Sequence, residues 1–448
     1  VTPDLPSVAG ANGAASDPAF LSYPADPVRT VTGVPGSGGT YVTRTPLWGA
    51  IPPSSGNSYY DAVNKALGAT LKMQPADGNT YVDALPALFA SGKLPDWIQI
   101  PSWINQRLNL GSAVDRFADL TPYLAGENIA RYPNLANIPT AAWQAGVWNG
   151  KLYGIPSYSS PNNFPGYLFC RKDLLDAAGV SAEVRSADEL FALGKALTDA
   201  KAGRWAFDDL WPYLLFPFRV ISTWNQGPGG KLIHQYETPG MIEALNFAAR
   251  LAKAGYVHPD ALAGNTANGQ QRFWSGKVAI SGGGTGAMNG DDAKGGTAAN
   301  PDYSRQAFKG VPAGQLRRRR RGPHHEGREA ILAERGQKDV ATSFQFLATG
   351  PQVTLVQNGF TQVARDYAAW QADAVKYAAK PLFFAMNISE PPQYASIGQQ
   401  VEDTIKDVRY GRKPVEAFKS AVDTWRKQGG DQLRGFYEGI RDKHGTGA

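Results

Sequence analysis

The 448-residue sequence predicts an α/β protein built on parallel sheet with helices on its faces. Three observations lead there. Between residues 40 and 100, segments alternate as strand, helix, strand, helix, strand at the spacing of parallel strands joined by crossover helices. The same style returns in the middle of the chain. The length is also comfortable for two domains and buries a large core without disulfides or metal.

The elements follow in order. Residues 1–35 are rich in Gly, Pro, Ser and Ala, which predicts a flexible tether. "TYVTRTPLWGAI" reads as a strand, followed by a helix from Ser58 with Asn57 placed to cap it and Gly68 to end it. A strand at "ATLKMQP" precedes a helix over 81–91, where Thr80 and Asp83 form a candidate capping pair and Val82, Leu85 and Leu88 share a face. "DWIQI" closes the set. In such sheets the ligand lies beyond the carboxyl ends of the strands, which singles out Trp48 and Trp103. Further on, Ser186 and Glu189 make an S-x-x-E box before Leu190, Leu193 and Leu197. Thr238-Pro239 opens a helix that Gly255 closes. Ile397, Val401, Ile405 and Val408 form one apolar stripe, and Pro414, Phe418, Val422 and Trp425 another; both read as core.

The net charge of +6 is local. Residues 316–338 hold eight Lys and Arg, five of them in the run Arg317 to Arg321, against three Glu; the rest of the chain is +1. A nucleic-acid-binding face spreads its basic residues among aromatics, and nothing else here supports the run, so no nucleic-acid partner is expected. The single cysteine, Cys170 in "YLFCRK", excludes an internal disulfide and reads as a small buried apolar residue. No run approaches the roughly 18 apolar residues of a membrane span.

Catalytic signatures are missing from the sequence. It has no H-E-x-x-H, no G-x-S-x-G and no Walker A loop, and "SGGGTGAMNG" lacks dinucleotide spacing. His234 and His258 are isolated and read as surface or satisfied side chains. Asp208-Asp209, Asp291-Asp292 and Glu402-Asp403 read as solvated surface, although sequence alone does not reveal a spatial carboxylate pair. Aromatics make up 11% of the chain, and several sit among Pro, Ser, Asn and Gly. A flat ring beside amides and hydroxyls suits a sugar, which offers apolar C–H faces and a rim of hydroxyls.

The motifs "WNGKLYGIPSYSS…LFCRKDLLDAAGV", "SADELFALGKALTD", "ETPGMIEALNFAARLAKAGYVHPDA", "RFWSGKVAISGGG" and "YGRKPVEAFKSAVDTW" occur in an order that resembles bacterial extracellular solute-binding proteins, in particular the sugar- and oligosaccharide-binding branch serving ABC importers. The resemblance implies a two-lobed periplasmic-binding-protein-like fold of type II with the ligand cleft between lobes. It places lobe 1 at 36–156 and 284–348, and lobe 2 at 157–283 and 349–448. It implies a monomeric, non-enzymatic, extracellular protein tethered to the outer face of the membrane, with a carbohydrate and a membrane permease as partners and no cofactor. Stacking falls to Trp48, Trp103, Tyr158, Trp211, Trp224 and Tyr394, and hydroxyl contacts to Arg44, Asn105, Asn162 and Glu390. A carbohydrate-active hydrolase, or a binder of peptides or other small solutes on the same fold, is the alternative.

Three departures from the family pattern stand out. "ALTDAKAGRWAFDD" lacks the family's Asp/Asn/Gly calcium loop, so no metal is expected there. Only glycines follow "VAIS" where maltose-type binders place a Trp, leaving an open or backbone-lined wall. The basic run falls where the family returns an apolar strand, and five arginines do not enter a sheet core without heavy desolvation cost. It is either a looped-out surface insertion or a compensated frameshift in GC-rich coding DNA.

Overall fold

The computed structural model describes residues 2–22, 30–47, 50–78, 80–101, 110–157, 167–211, 213–266, 268–283, 305–307, 339, 353–355, 361–379, 381–384 and 386–446. The first sheet is formed by β1 (Thr40–Leu47), β2 (Thr70–Asp77) and β3 (Trp97–Ile98), all parallel in the order β2-β1-β3. Helix α1 (Ser58–Leu67) joins β1 to β2. The Asn57 side-chain oxygen accepts from the amides of Tyr59 and Tyr60 at 3.0 and 3.1 Å, and Gly68 ends the helix in the left-handed region at φ 68°. Helix α2 (Tyr81–Ser91) joins β2 to β3 without the expected capping pair. Thr80 has helical backbone angles and its side chain makes no cap bond. The buried face is also rotated: Tyr81, Leu85 and Phe89 point inward, and Val82 and Leu88 pack at its edge.

The segment "VWNGKL" is a tight antiparallel hairpin, with Asn149 and Gly150 both at positive φ as a two-residue primed turn requires. Beyond it lies a mixed sheet. Its strands are β4 (Tyr167–Arg171), β5 (Trp205–Phe207), β6 (Val278–Gly283) and β7 (Arg305–Ala307), in the order β7-β4-β6-β5. Strand β6 runs parallel to β5 and antiparallel to β4. Helices α3 (Lys172–Ala177), α4 (Ala187–Leu197), α5 (Pro239–Lys253) and α6 (Gly269–Trp274) accompany this sheet, and Cys170, Phe207 and Ile280 lie fully buried in its core. Half of the Ser186 box forms: Ser186 Oγ accepts from the Glu189 amide at 3.1 Å, but the Glu189 carboxylate turns one residue further, to the Arg185 amide. The turn after α4 closes on itself, Asp199 accepting from the amide of Ala202.

The C-terminal helices are α7 (Thr361–Ala374), α8 (Gln399–Arg409), α9 (Val415–Trp425) and α10 (Asp431–His444). The stripes of α8 and α9 bury Val401, Ile405, Val408, Phe418, Val422 and Trp425, as the 3.6-residue period requires. They close over the hairpin of Trp224–Gln226 and Leu232–His234. Here the expectation for Trp224 is corrected. It is 2% exposed, with His234 at 4.8 Å, Tyr437 at 5.2 Å and Trp425 at 6.4 Å between ring centroids, so no face remains for a ligand. Glu237 anchors the same cluster, accepting two bonds from Arg434 at 2.7 and 2.8 Å and one from Arg426 at 2.7 Å.

A second correction concerns the N-terminal arm. Residues 2–22 are not a free tether: Ala19–Phe20 pairs in parallel with Thr354–Leu355. The Asp17 amide and carboxylate engage the two ends of the Gln371 side-chain amide on α7 at 2.8 and 2.9 Å. A third contact joins distant parts of the chain. Asn387 Nδ2 lies 3.1, 2.9 and 2.9 Å from the carbonyls of Gln144, Ala145 and Val147, and Ser389 fills the space where a Cβ on Gly111 would fall.

His234 sets an acid limit on this fold. Its Nδ1 accepts from the Tyr236 amide at 3.3 Å, and burial, partly offset by Glu237, pushes the imidazole pKa down to about 3. Above the unfolded pKa both states are neutral and the cap is intact; as pH falls towards 3 only the unfolded chain takes up the proton, so stability is lost. Urea unfolding should show the parent losing roughly 2 kcal/mol more than His234→Asn between pH 7 and pH 5, because Asn retains an oxygen acceptor without titrating. Equal losses in both proteins would assign the acid sensitivity elsewhere.

Candidate functional site

A cavity of about 510 Å³ opens at the carboxyl ends of β5 and β6, the position at which open α/β sheets hold their ligands. Its wall is built largely from the residues directly after β5. Asp208 is 3% exposed and forms a two-toothed pair with Arg272 of α6, its oxygens accepting from Nε at 2.7 Å and Nη2 at 2.9 Å. Asp209 accepts twice from Arg409 Nη1 of α8, both at 2.9 Å, and once from the Tyr410 hydroxyl at 3.1 Å. These two carboxylates are therefore not the solvated surface that their adjacency implied. Burial made them acceptors for guanidinium groups brought in from two other helices.

Asp209 also sets the aromatic. Its Oδ1 accepts from the Trp211 amide at 3.0 Å, an Asx turn that fixes the backbone entering the loop. The Trp211 ring is partly buried between the two large core clusters, and the Arg409 guanidinium lies 5.7 Å from its centroid. One face of the indole is thus braced by protein while the residue still lines the cavity. Opposite, β6 contributes Ser281, Gly282 and Gly283. This wall is backbone, as the glycine run led one to expect, and it has a partner. A Cβ on Gly282 would fall 2.0 Å from Tyr213 Cδ2, so the Tyr213 ring lies flush against that strand. Burial raises the Tyr213 hydroxyl pKa, with the Asp209 charge adding to it.

Of the other expected site residues, Arg44 is on β1 in the first sheet, its guanidinium 5.9 Å from the Tyr81 ring centroid and its buried Nε without a hydrogen-bond partner. The Tyr81 hydroxyl beside it donates to the Gln99 carbonyl at 2.7 Å, and Gln99 Nε2 donates to Ser157 Oγ at 3.2 Å. Tyr394 packs on the C-terminal core beneath Gly429, and Glu390 accepts from the Tyr437 hydroxyl at 2.6 Å next to the Ser389 crossing contact; neither lines the cavity. Trp48, Trp103, Asn105, Tyr158 and Asn162 lie outside the described residues, as do Asp291-Asp292 and the segment 316–338. Asp208, Asp209, Tyr213 and Arg409 are among the cavity residues that sequence reasoning missed. The acidic-aromatic stretch "DDLWPY" directly after a strand was the one local signal for the first three.

Among the described residues no group of three or more His, Cys, Asp or Glu is placed to hold a metal ion. His234 and His258 each use Nδ1 to cap a short helix, so both are satisfied structurally. Among the described residues no helix is long and apolar enough to cross a membrane.

The profile of the family described as bacterial extracellular solute-binding protein matches residues 52–319, more than half of the sequence. The chain belongs to this family. Among curated relatives, this solute-binding protein is similar to the polygalacturonan/rhamnogalacturonan-binding protein YtcQ of Bacillus subtilis, 24% identical over 378 residues, covering 80% of this chain and 69% of the relative. It also matches lipoprotein LipO of the same organism, at 23% identity over 56% of this chain and 51% of that one. Among solved structures it resembles the N-glycan transport solute-binding protein of Streptococcus pneumoniae, with a TM-score of 0.59 at 15% identity, covering 90% and 98% of the two chains. A substrate-binding protein of Listeria monocytogenes, solved with cycloalternan, gives a TM-score of 0.55 at 16% identity, covering 88% and 99%. These likenesses establish the two-lobed α/β solute-binding fold.

Gly282 offers a direct test of the cavity wall. Gly282→Ala must displace Tyr213 or β6, an overpacking cost of about 1–3 kcal/mol, and the shift should be visible as a lower unfolding midpoint in urea. The double variant Gly282→Ala/Tyr213→Ala should recover part of that loss; strictly additive losses would disprove the contact.

Proposed function

We propose that this solute-binding protein captures a carbohydrate or oligosaccharide in the cleft between its lobes and presents it to the membrane permease of an ABC importer. The observation that carries this reading is the Trp211 site. An aromatic side chain braced by Arg409 lines a cavity together with carboxylates, hydroxyls, an amide and bare backbone, with Phe169 and Phe273 adding apolar surface. A sugar ring needs that combination, an apolar surface for its C–H face and acceptors and donors around its rim. Arg44 on the first sheet remains a candidate for a hydroxyl contact, although it does not line this cavity. Trp48, Trp103, Tyr158, Asn105 and Asn162 complete the stacking and hydroxyl contacts, and Glu390 stands at the junction of the two units. Several structural neighbours are solved with sugars bound, including kestose and lacto-N-biose, which supports the same class here.

The lobes divide as 36–156 with 284–348, and 157–283 with 349–448, except that Arg305–Ala307 pairs with β4 and so goes with the second lobe. The Asn57 and Ser58 contacts to Asp339 support the assignment of the third segment to lobe 1. The protein acts as a monomer outside the cell, held at the outer face of the membrane, in keeping with its lipoprotein relative. It performs no chemistry on the ligand.

Thermal unfolding against a panel of mono- and oligosaccharides tests the reading. A ligand at a hundred times its dissociation constant should stabilise the fold by roughly 2.7 kcal/mol. Turnover of the bound sugar would transfer the protein to the hydrolases, and stabilisation by peptides alone would replace the ligand class. Trp211→Ala should weaken the responding sugar about tenfold or more, because a stacked ring contributes about 1.5 kcal/mol beyond its area. Calorimetric titration checks it.

A further inference from the structure

Resting on that reading, we infer that the cavity selects neutral carbohydrates and rejects uronates. The carboxylates of its lining are already matched one for one. Asp208 is held two-toothed by Arg272, and Asp209 holds Arg409 with both oxygens. The pairs are dry: the Asp208 and Arg272 side chains are each 5% exposed, and those of Asp209 and Arg409 are 11% and 14% exposed. Among the described lining residues, Arg409 is the one cation, so no positive charge is left over for a ligand carboxylate.

Arg409 has also committed most of its donors. Two-toothed recognition of a further carboxylate needs two parallel N–H groups left free and accessible. Its Nη1 donates to both Asp209 oxygens and its Nη2 to the Tyr410 hydroxyl at 3.2 Å, while its Nε is buried without a partner. A uronate entering this space would lose its hydration beside two carboxylates and gain no unmatched countercharge from the described lining, an arrangement that discriminates by repulsion and not by shape. The inference separates this chain from its relative named for polygalacturonan, a polymer of carboxylated sugars, despite their 24% identity.

The test titrates the full chain calorimetrically with neutral trisaccharides (galactotriose, maltotriose, cellotriose, kestose) and with trigalacturonate, at low and high salt. The expected result is binding of at least one neutral sugar, insensitive to salt, and no heat from trigalacturonate. Trigalacturonate binding as tight as the best neutral sugar would overturn the inference while leaving the carbohydrate reading in place. Silence from every sugar would overturn both. Asp209→Asn adds a second readout: it releases the Arg409 charge with little change of shape, and should move the preference towards trigalacturonate by about tenfold in a salt-dependent way. A folded Asp209→Asn protein with unchanged preference counts against the inference, and if the variant does not fold the parental titrations decide alone.

Discussion

The cavity depends on how two adjacent aspartates leave the end of one short strand. Successive side chains past β5 point to different sides, so Asp208 reaches α6 and Asp209 reaches α8. Each finds an arginine, and together the two pairs hold two helices against the sheet edge with little water between. A buried ion pair adds little net stability over an apolar contact of the same volume, but losing one partner strands a charge. The arrangement thus resists partial loosening: the helices sit in register with the sheet, or the charges are exposed together. Trp211 inherits its position from that rigidity through a single amide bond to Asp209.

Much of the fold was legible because its signals are local. Asn57 and Gly68 bracket α1 by chemistry confined to one turn at either end. The stripes of α8 and α9 are period-driven in the same way. Failures occurred where a partner lies far along the chain. Asp208 and Asp209 looked solvated because Arg272 and Arg409 are 64 and 200 residues away. The N-terminal arm has the composition of a linker, yet Gln371 and strand 354–355 recruit it from more than 330 positions downstream. Trp224 looked like loop material because its neighbours are Ser, Thr, Asn and Gln; tertiary packing against His234, Trp425 and Tyr437 made it core. At the site itself the backbone-lined wall was readable from "SGGG", whereas the Tyr213 ring that covers it was not.

The fold also divides its polar chemistry by purpose. His234 and Glu237 serve the C-terminal core, where burial keeps the imidazole neutral and the carboxylate is tied to two arginines. The cavity holds Asp, Arg, Ser and Gly, and among the described residues no histidine lines it. Proton uptake by His234 in acid surroundings therefore acts on the stability of the scaffold.

The placement of Trp211 has an optical consequence. Trp224, Trp370 and Trp425 are at most 2% exposed, so their emission belongs to the dry interior and changes little while the chain stays folded. Trp211 is different: its indole borders open volume and has a guanidinium near one face. A molecule entering that volume replaces water beside this chromophore, while the three buried indoles add a blue-shifted, steady contribution. The protein carries its own fluorescent probe of occupancy, installed by the same Asx turn that shapes the site.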